Sequence, residues 1–380
     1  MPVSLGRAAY SYKIAALGAT LVSFGAPRVF EAQRAWTVST DVRVGLADSS
    51  IHLHSVVGAV RHRDGTVVIA DAHAGKLTFV RRDGTLLRQT GRQGMGPGEF
   101  QHIGWLGSCA MDSLFAWDLM RRRMLVFTHG GDFVREFSVP QDPSESWSAG
   151  AIACSKRGWL AVQAVPRKFV RTELGSVALV QGISSVRFTD GAGAVSATVN
   201  DIGGIERVVI DGGAGPRPLG MMTFMAASDS LLFIGTTDSS TILVLDPSGR
   251  RTARIAMALP SRTPRPKHAE ASIEEITSQI RGGISTMISE RMRRLPLPER
   301  LPKWSHLNID PMGLLWVTVS VPGDAATDLQ VFSANGDLHA RVSIPQELRV
   351  LDVGVDYVLG VSRDPMGSPR IIEWRLERRN

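Results

Sequence analysis

The sequence has few of the residues on which small cross-linked or metal-built folds depend. Only two cysteines and three tyrosines occur among 380 residues, and lysine is scarce, so arginine supplies most of the formal net charge of +7. Two cysteines cannot form a disulfide framework or an all-cysteine zinc site. The densest basic runs, residues 121–123 and 291–294, lack interleaved aromatic residues. We therefore expect no nucleic-acid partner.

Long apolar runs are absent after the first 26 residues, so no further membrane-spanning helix is predicted. Residues 14–26 form the one apolar run, and it follows a basic start that contains Arg7 and Lys13. This order is typical of an export signal. Residues 1–35 are therefore predicted to be a signal segment, and the protein to be periplasmic or secreted. An uncleaved anchor or a misplaced start is the alternative, and no nearby cysteine could carry a lipid.

Two segments of the chain repeat each other. Residues 64–84 and 112–132 each contain an apolar strand that ends in aspartate, a polar turn, a second apolar strand and a Gly/Asp turn. Asp71 and Asp118 lie 47 residues apart. Short strands with turn residues at this spacing predict a meandering antiparallel sheet.

Weaker copies of the unit bring the total to six. Such a unit cannot bury both of its faces alone, whereas six units stacked in a ring bury one another. The sequence therefore predicts an all-β fold, a six-bladed β-propeller over residues 36–380. A strand within residues 36–45 should close the ring beside residues 371–376. The weaker copies cover about residues 147–209, 221–258, 304–345 and 347–377.

A glycine-rich linker, residues 90–100, joins the first two units. Its glycines precede a Gly-x-Phe, and Asp118 is followed five positions later by Arg123 and an alternating strand. Both features resemble NHL-repeat propellers of the TolB-like superfamily. The resemblance implies a propeller used mainly for binding and scaffolding, although no proline follows the linker phenylalanine. The stretch also lacks the Lys-Ser/Thr and the following helix of a phosphate loop. The linker residues singled out are Gly91, Gly96, Gly98 and Phe100.

Two acid–base pairs flank the turns of the first two units. Asp71 with Lys76, and Asp118 with Arg123, are expected to be structural ion pairs across these turns and not catalytic groups.

One strongly helical segment, residues 266–296, interrupts the strand pattern before the fifth blade. Gly282 and Gly283 should split it into two helices. We expect its apolar stripe to pack on the flank of the propeller. A lid over the channel mouth is the first alternative, and a membrane-surface or partner helix is the second. The stripe consists of Ile273, Ile276, Ile280, Ile284, Met287, Ile288 and Met292.

The candidate site lies where loops enter the innermost strands. Counting back about 25 residues from the third-strand aromatic residues, at the repeat spacing of a propeller, places His54, His102 and His306 at matching positions. Arg349 takes this place in the sixth unit, and Trp304 is adjacent. The three histidines could hold a metal ion with an open position for water. They could equally bind an anionic ligand beside Arg349, or simply cap their own loops. We expect no cofactor.

The two cysteines also occupy matching places on neighbouring innermost strands. Cys109 and Cys154 are expected to be buried free thiols. A disulfide between adjacent blades is the alternative, and it requires Cα atoms within about 7 Å of each other.

These observations predict an exported, monomeric propeller that binds a ligand or protein partner at its channel mouth or rim. The identity of that ligand or partner is left open. The alternative is a propeller-type hydrolase or lyase with a channel metal on the histidines. No Gly-x-Ser-x-Gly elbow supports a serine hydrolase. A third possibility is a scaffold that works through the helical insertion.

Overall fold

Six antiparallel sheets stand around a ring, as the repeat predicts, and confirm the six-bladed β-propeller. The computed structural model describes residues 34–39, 51–110, 113–140, 145–166, 170–174, 177–210, 213–278, 284–364 and 366–378. The predicted signal segment therefore lies outside the described residues, except for Arg34 and Ala35. Among the described residues, no helix is long and apolar enough to cross a membrane.

The strands follow one another from the inside of each blade to its outside. The chain enters through β1 (Arg34–Ala35) and β2 (Thr37–Ser39). Blade one comprises β3 (Val56–Arg61), β4 (Val67–Asp71), β5 (Lys76–Val80) and β6 (Leu86–Thr90). Blade two comprises β7 (Ile103–Cys109), β8 (Ser113–Asp118), β9 (Arg123–Thr128) and β10 (Phe133–Ser138). Blade three comprises β11 (Glu145–Cys154), β12 (Leu160–Pro166), β13 (Val170–Leu174), β14 (Val177–Thr189), β15 (Val195–Ile210) and β16 (Gly213–Pro216).

The second half of the chain contains the helices and the remaining blades. Blade four comprises β17 (Thr223–Ala227), β18 (Leu232–Thr236), β19 (Thr241–Leu245) and β20 (Arg251–Ala256). The helices α1 (Pro266–Thr277) and α2 (Ile284–Arg293) follow, before blade five as predicted. Blade five comprises β21 (His306–Ile309), β22 (Leu315–Thr318), β23 (Thr327–Phe332) and β24 (Leu338–Ile344). Blade six comprises β25 (Arg349–Val353), β26 (Tyr357–Arg363) and β27 (Pro369–Glu377).

The apolar core is divided among the contacts between blades. Each of the six interfaces between neighbouring blades contains its own cluster of buried apolar side chains. Between blades one and two, for example, Phe100 of the linker stacks on Phe127, with 5.8 Å between ring centroids. Both phenylalanines are fully buried. The ring therefore buries apolar area that no single blade could bury, which is the main stabilising contribution.

A strand from the N-terminal end of the chain closes the ring. β2 pairs with β27 and forms the outer edge of blade six, with Val38 opposite Leu376. This confirms the predicted strand and its partner, although residues 40–45 lie outside the described part of the chain. β1 pairs with β24 of blade five, so Arg34 and Ala35 are also part of the propeller.

Blade three differs from the others because two of its strands, β14 and β15, are unusually long. β14 has 13 residues and β15 has 16, and β13 and β16 pair with the extended ends. Ile273 of α1 and Met292 of α2 pack with Val208 of this extension. We call the two helices and the extended hairpin together the canopy.

The two cysteines form a disulfide between blades two and three. The expectation of free thiols was wrong, because the Cα atoms of Cys109 and Cys154 lie only 5.6 Å apart. Innermost strands of adjacent blades converge at this position, which brings the pair within the reach of a disulfide. The bond joins residues 45 positions apart in the chain.

Removing this disulfide should destabilise the ring. A cross-link that closes a loop of 45 residues reduces the entropy of the unfolded chain, which corresponds to about 4 kcal/mol of stability at 25 °C. We expect Cys109→Ala/Cys154→Ala to lower the free energy of unfolding in urea by up to this amount. Dithiothreitol should lower the stability of the wild type similarly and leave the double variant unchanged. Equal stability of the two proteins under oxidising conditions would contradict a formed bond.

Candidate functional site

A cavity of about 1210 Å³ lies between the channel mouth and the canopy. The insertion therefore does not pack on the flank of the propeller as expected, and the alternative of a lid describes it correctly. The apolar stripe packs instead on the extended hairpin of blade three, against Val208, Val177 and Leu179. The helical residues in the cavity wall are Ala271, Ser272, Glu274, Glu275, Ile276, Ser278, Met287, Ile288, Arg291 and Met292.

Polar contacts attach the first helix to the rim of the mouth. Asp324, in a loop of blade five, accepts hydrogen bonds from Arg262 at 2.9 and 2.5 Å. Its carboxylate also lies 3.5 Å from Nε2 of the buried His268 on α1. Burial alone would raise the pKa of Asp324, but hydrogen bonds from Arg262 and from the Val321 N–H hold it below its ordinary value. The carboxylate therefore stays charged and keeps the canopy attached on this side.

Two further contacts attach α1 to blades three and six. The Leu219 N–H, beyond β16, donates to Oγ of Ser272 at 3.1 Å. Arg363 of blade six donates to Oγ of Ser278 at 2.6 Å. The canopy thus crosses the mouth from blade three to blades five and six.

Four of the five predicted site residues line this cavity. His102, Trp304, His306 and Arg349 belong to its wall, whereas His54 does not. His54 is instead largely exposed, with Nδ1 3.9 Å from the carboxylate of Asp71.

The strand register explains why His54 is outside the wall. Val56 pairs with Asp71, and Ile103 pairs with Asp118, so the blade-one equivalent of His102 is Ser55. Counting back from the aromatic residues matched His102 with His54, which is one position too early. The correct partner is Ser55, because Ser55 and His102 are 47 residues apart, as are Asp71 and Asp118. Ser55 does line the cavity. The repeat spacing itself was therefore the signal that would have found it.

The three histidines do not share a ligand geometry. His306 is the first residue of its strand and pairs with Thr318, whereas His102 comes one residue before its strand. Among the described residues, no group of three or more His, Cys, Asp or Glu side chains could hold a metal ion.

Asp71 and Asp118 have a different structural role from the predicted ion pairs. The carboxylate of Asp118 accepts backbone N–H groups from Gln101 and His102 and from Met120 and Arg121. Asp71 does the same in blade one. Each buried carboxylate therefore fixes the loop that enters the innermost strand, since unsatisfied N–H groups would otherwise be buried.

The predicted basic partners face other groups. Lys76 contacts the side chain of Gln89 at 3.4 Å, and Arg123 contacts Glu136. These side chains lie opposite Asp71 and Asp118 in the strand register but extend along the blade surface. The ion pairs were therefore wrongly assigned, although the structural role of both aspartates was not.

The linker glycines fit a tight loop packed under aromatic rings. Gly91 has φ +80° and Gly98 has φ +72°, a region that favours glycine. A Cβ on Gly91 would lie 2.9 Å from the ring of the buried Phe100. The Gly96 N–H donates to Oε2 of Glu99 at 2.8 Å. The glycines thus shape the crossing between blades, and none of the four linker residues lines the cavity.

His306 and Arg349 form the electrostatic centre of the mouth. Burial, and then the positive charge of Arg349, lower the pKa of His306 to about 4. The ring of His306 packs edge-on against Phe224, with 4.8 Å between centroids. The imidazole is therefore neutral at pH 7, and the guanidinium supplies the positive charge.

Three carboxylates lie at the rim on the canopy side. Glu274 and Glu275 of α1 and Glu347 before β25 belong to the cavity wall. Burial raises the pKa of Glu347, and the charges of Glu275, Asp324 and Glu274 raise it further. These acids add negative charge on the canopy side, where Arg291 of α2 also lies, whereas Arg349 adds positive charge at the floor. The repeat pattern did not predict the position of these acids, because they come from an insertion and a loop outside the repeat.

Comparison with known proteins identifies the fold and nothing narrower. No protein-family model and no curated protein matches the chain significantly. A Bacteroides fragilis protein described as exported superposes with a TM-score of 0.51 at 14% identity, covering 92% of this chain and 100% of that one. A gluconolactonase from Xanthomonas campestris gives 0.49 at 13% identity, with coverage of 90% and 94%. Virginiamycin B lyase from Staphylococcus aureus gives 0.42 at 11%, with 85% and 80%. The likeness is to six-bladed propellers generally and is not specific to NHL repeats.

Replacing Asp118 should destabilise the protein strongly. Asp118→Ala leaves four backbone N–H groups without their acceptor, at a cost of about 3 kcal/mol or more. Asp118→Asn keeps one carbonyl oxygen and should cost less. Asp132→Ala is the control, since its exposed pair with Arg88 should contribute less than about 1 kcal/mol. Urea denaturation measures all three, and equal losses for the Asp118 and Asp132 alanine variants would contradict this role.

Acid should destabilise the folded protein partly through His306. The folded-state pKa of about 4 lies below the ordinary histidine value of 6.5, so the stabilising contribution of His306 is present above pH 6.5 and is lost as pH falls towards 4. Between pH 7.5 and 4.5 this loss is about 2 kcal/mol. We expect His306→Gln to reduce the pH dependence of the unfolding free energy accordingly. Thr318→Val, which keeps the imidazole, should retain the wild-type dependence. An unchanged slope in His306→Gln would contradict the shift.

Proposed function

We propose that this protein is an exported propeller that binds a small molecule in the cavity between its channel mouth and its canopy. The observation that carries the proposal is the cavity itself, whose wall combines loops of the blades with both inserted helices. Its volume of about 1210 Å³ slightly exceeds the range of ordinary small-molecule sites, roughly 300–1,000 Å³.

The chemistry of the wall supports a ligand with both apolar and polar parts. Met222 and Phe224, which are half-buried, and Met287, which is exposed, contribute apolar surface to the wall. The polar groups of the wall come from several separate elements and include Arg349, His306 and the rim carboxylates. Ligand sites combine apolar surface with polar groups that fix the orientation of the ligand.

The disulfide supports a location outside the cytoplasm. Cytosolic thiols are kept reduced, so a structural disulfide such as Cys109–Cys154 favours an oxidising compartment. The basic and apolar N-terminal segment supports the same interpretation.

Blocking the cavity should abolish binding without unfolding the protein. Ala271 lies on α1 in the cavity wall, so Ala271→Phe would place a ring in the space that a ligand needs. Fragments that bind the wild type in saturation-transfer NMR should lose at least about tenfold in affinity, because a filled pocket excludes the ligand's buried surface. Hydrogen exchange should show bound fragments protecting α1 and α2.

Ala194→Phe is the matched control, because Ala194 is exposed near the turn between β14 and β15. It should bind the fragments as the wild type does. Fragments that bind both variants equally, or no binding fragments at all, would contradict the proposal.

A further inference from the structure

Arg349 lies at the channel mouth, where blades six and one meet. It begins β25 and lines the cavity, where Nη2 donates to the backbone oxygen of Val56 on blade one. This bond holds the guanidinium across the interface between blades six and one. The side chain is therefore fixed in place.

Four other largely buried arginines are each paired with a carboxylate. Arg349 is different: its guanidinium has no carboxylate within 4 Å among the described residues, and Val56 accounts for its hydrogen bonding. Because arginine stays protonated and has five N–H donors, the bond to Val56 leaves most of this capacity without an acceptor among the described residues. The four paired arginines are Arg61 with Glu373, Arg121 with Glu136, Arg217 with Glu206 and Arg378 with Asp310.

Two hydroxyl groups of the cavity wall also have no partner. Oγ of Ser55 and Oγ1 of Thr318 are buried without a hydrogen bond in the described structure, and each residue is only 4% exposed. Ser55 directly precedes the residue that Arg349 contacts, and Thr318 pairs with His306. Buried hydroxyls are normally satisfied, so unpartnered ones beside an unpaired cation indicate a binding role.

We infer that Arg349, with the hydroxyls of Ser55 and Thr318, forms the receptor for the carboxylate of an amphiphilic, singly charged ligand. A planar guanidinium matches a carboxylate through two parallel hydrogen bonds. The inference rests on the proposed function, since it assigns a chemical class to the ligand of the same cavity.

The surrounding charges select a single negative charge over a double one. Burial lowers the pKa of Arg349; the charge of Glu275 on α1 opposes this effect, and the charge of Arg363 on blade six adds to it. Glu274 and Glu347 add negative charge at the rim. Arg217 and Arg363 also line the cavity, but Arg217 pairs with Glu206, and Arg363 donates to Ser278 and Gly367. A single carboxylate would balance the guanidinium of Arg349, whereas a phosphate dianion would place a second negative charge near the rim acids.

The body of the ligand is assigned from the wall around the receptor. Phe224 packs against His306, which lies beside Arg349, and Met222, Met287 and Ile288 continue the apolar surface towards the canopy. A carboxylate bound at the floor would therefore direct an apolar chain or ring towards the helices.

The experiment compares three probes of one length: decanoate, decanamide and decylamine. Isothermal titration at pH 8 should show decanoate binding at least about tenfold more tightly than the other two, since charged hydrogen bonds exceed neutral ones. Arg349→Met should remove this preference, and Arg349→Lys should retain part of it. Inorganic phosphate should not displace decanoate. The inference is overturned if decanamide or decylamine binds as tightly as decanoate, or if the preference survives in Arg349→Met.

A second variant tests the inference even if Arg349→Met fails to fold, since the side chain of Arg349 also connects two blades. Glu275→Gln removes the acid that competes for Arg349, so decanoate should bind about two- to fivefold more tightly while decanamide is unchanged. Glu299→Gln, an exposed residue outside the cavity wall, is its matched control. Weaker or unchanged decanoate binding in Glu275→Gln would contradict the assignment.

The Ala271→Phe variant distinguishes a failure of the carboxylate assignment from a failure of the proposed function. If it blocks all three probes and they bind the wild type equally, the cavity binds ligands but the carboxylate assignment is wrong. If probes bind regardless of Ala271→Phe, the cavity is not their site and the proposed function is wrong as well. Preference for decanoate that both Ala271→Phe and Arg349→Met abolish supports both.

Discussion

The closure of the ring through Trp36 is the contact on which the other five blade interfaces depend. Its indole lies 5.7 Å from that of Trp316, centroid to centroid, and Arg378 stacks 4.8 Å above it. Arg378 also pairs with the buried Asp310 at 2.8 Å, and Asp310 accepts the indole N–H of Trp316. This cluster joins both ends of the chain to blade five, so the paired β2 and β27 cannot separate without exposing two indoles and a buried carboxylate.

The closed ring forms the floor of the site, which is rigid. The canopy forms the ceiling, which is held by fewer contacts. The floor is made of strand ends whose loops are fixed by buried aspartates. The ceiling is held by a few polar contacts, such as Asp324 with Arg262, and by two small apolar clusters, one around Ile273 and one that includes Ala269. Motions that admit a ligand should therefore concentrate in the helices, because elements with fewer buried contacts open at lower free energy.

The features that follow from the repeat could be predicted from the sequence, whereas most features outside the repeat could not. Six units and the closing strand followed from strand spacing, since neighbouring blades must bury each other's faces. His54 was wrongly assigned to the site, because counting from an aromatic residue ignored the strand register that Asp71 and Asp118 define. The disulfide was not expected, because the convergence of innermost strands is a property of the assembled ring. The canopy's placement depends on the extra length of one hairpin, and the rim acids lie in the insertion and in a loop, so neither feature follows from the repeat period.

The link between Cys109 and Cys154 also determines how the ring can come apart. A circular arrangement opens into an arc only when one interface between blades separates. Five interfaces are held by packing and hydrogen bonds, whereas the one between blades two and three is held by a covalent bond near the innermost strands. Rupture must then begin elsewhere on the circle. A single proteolytic cut between the two cysteines would likewise leave both fragments tethered in one molecule.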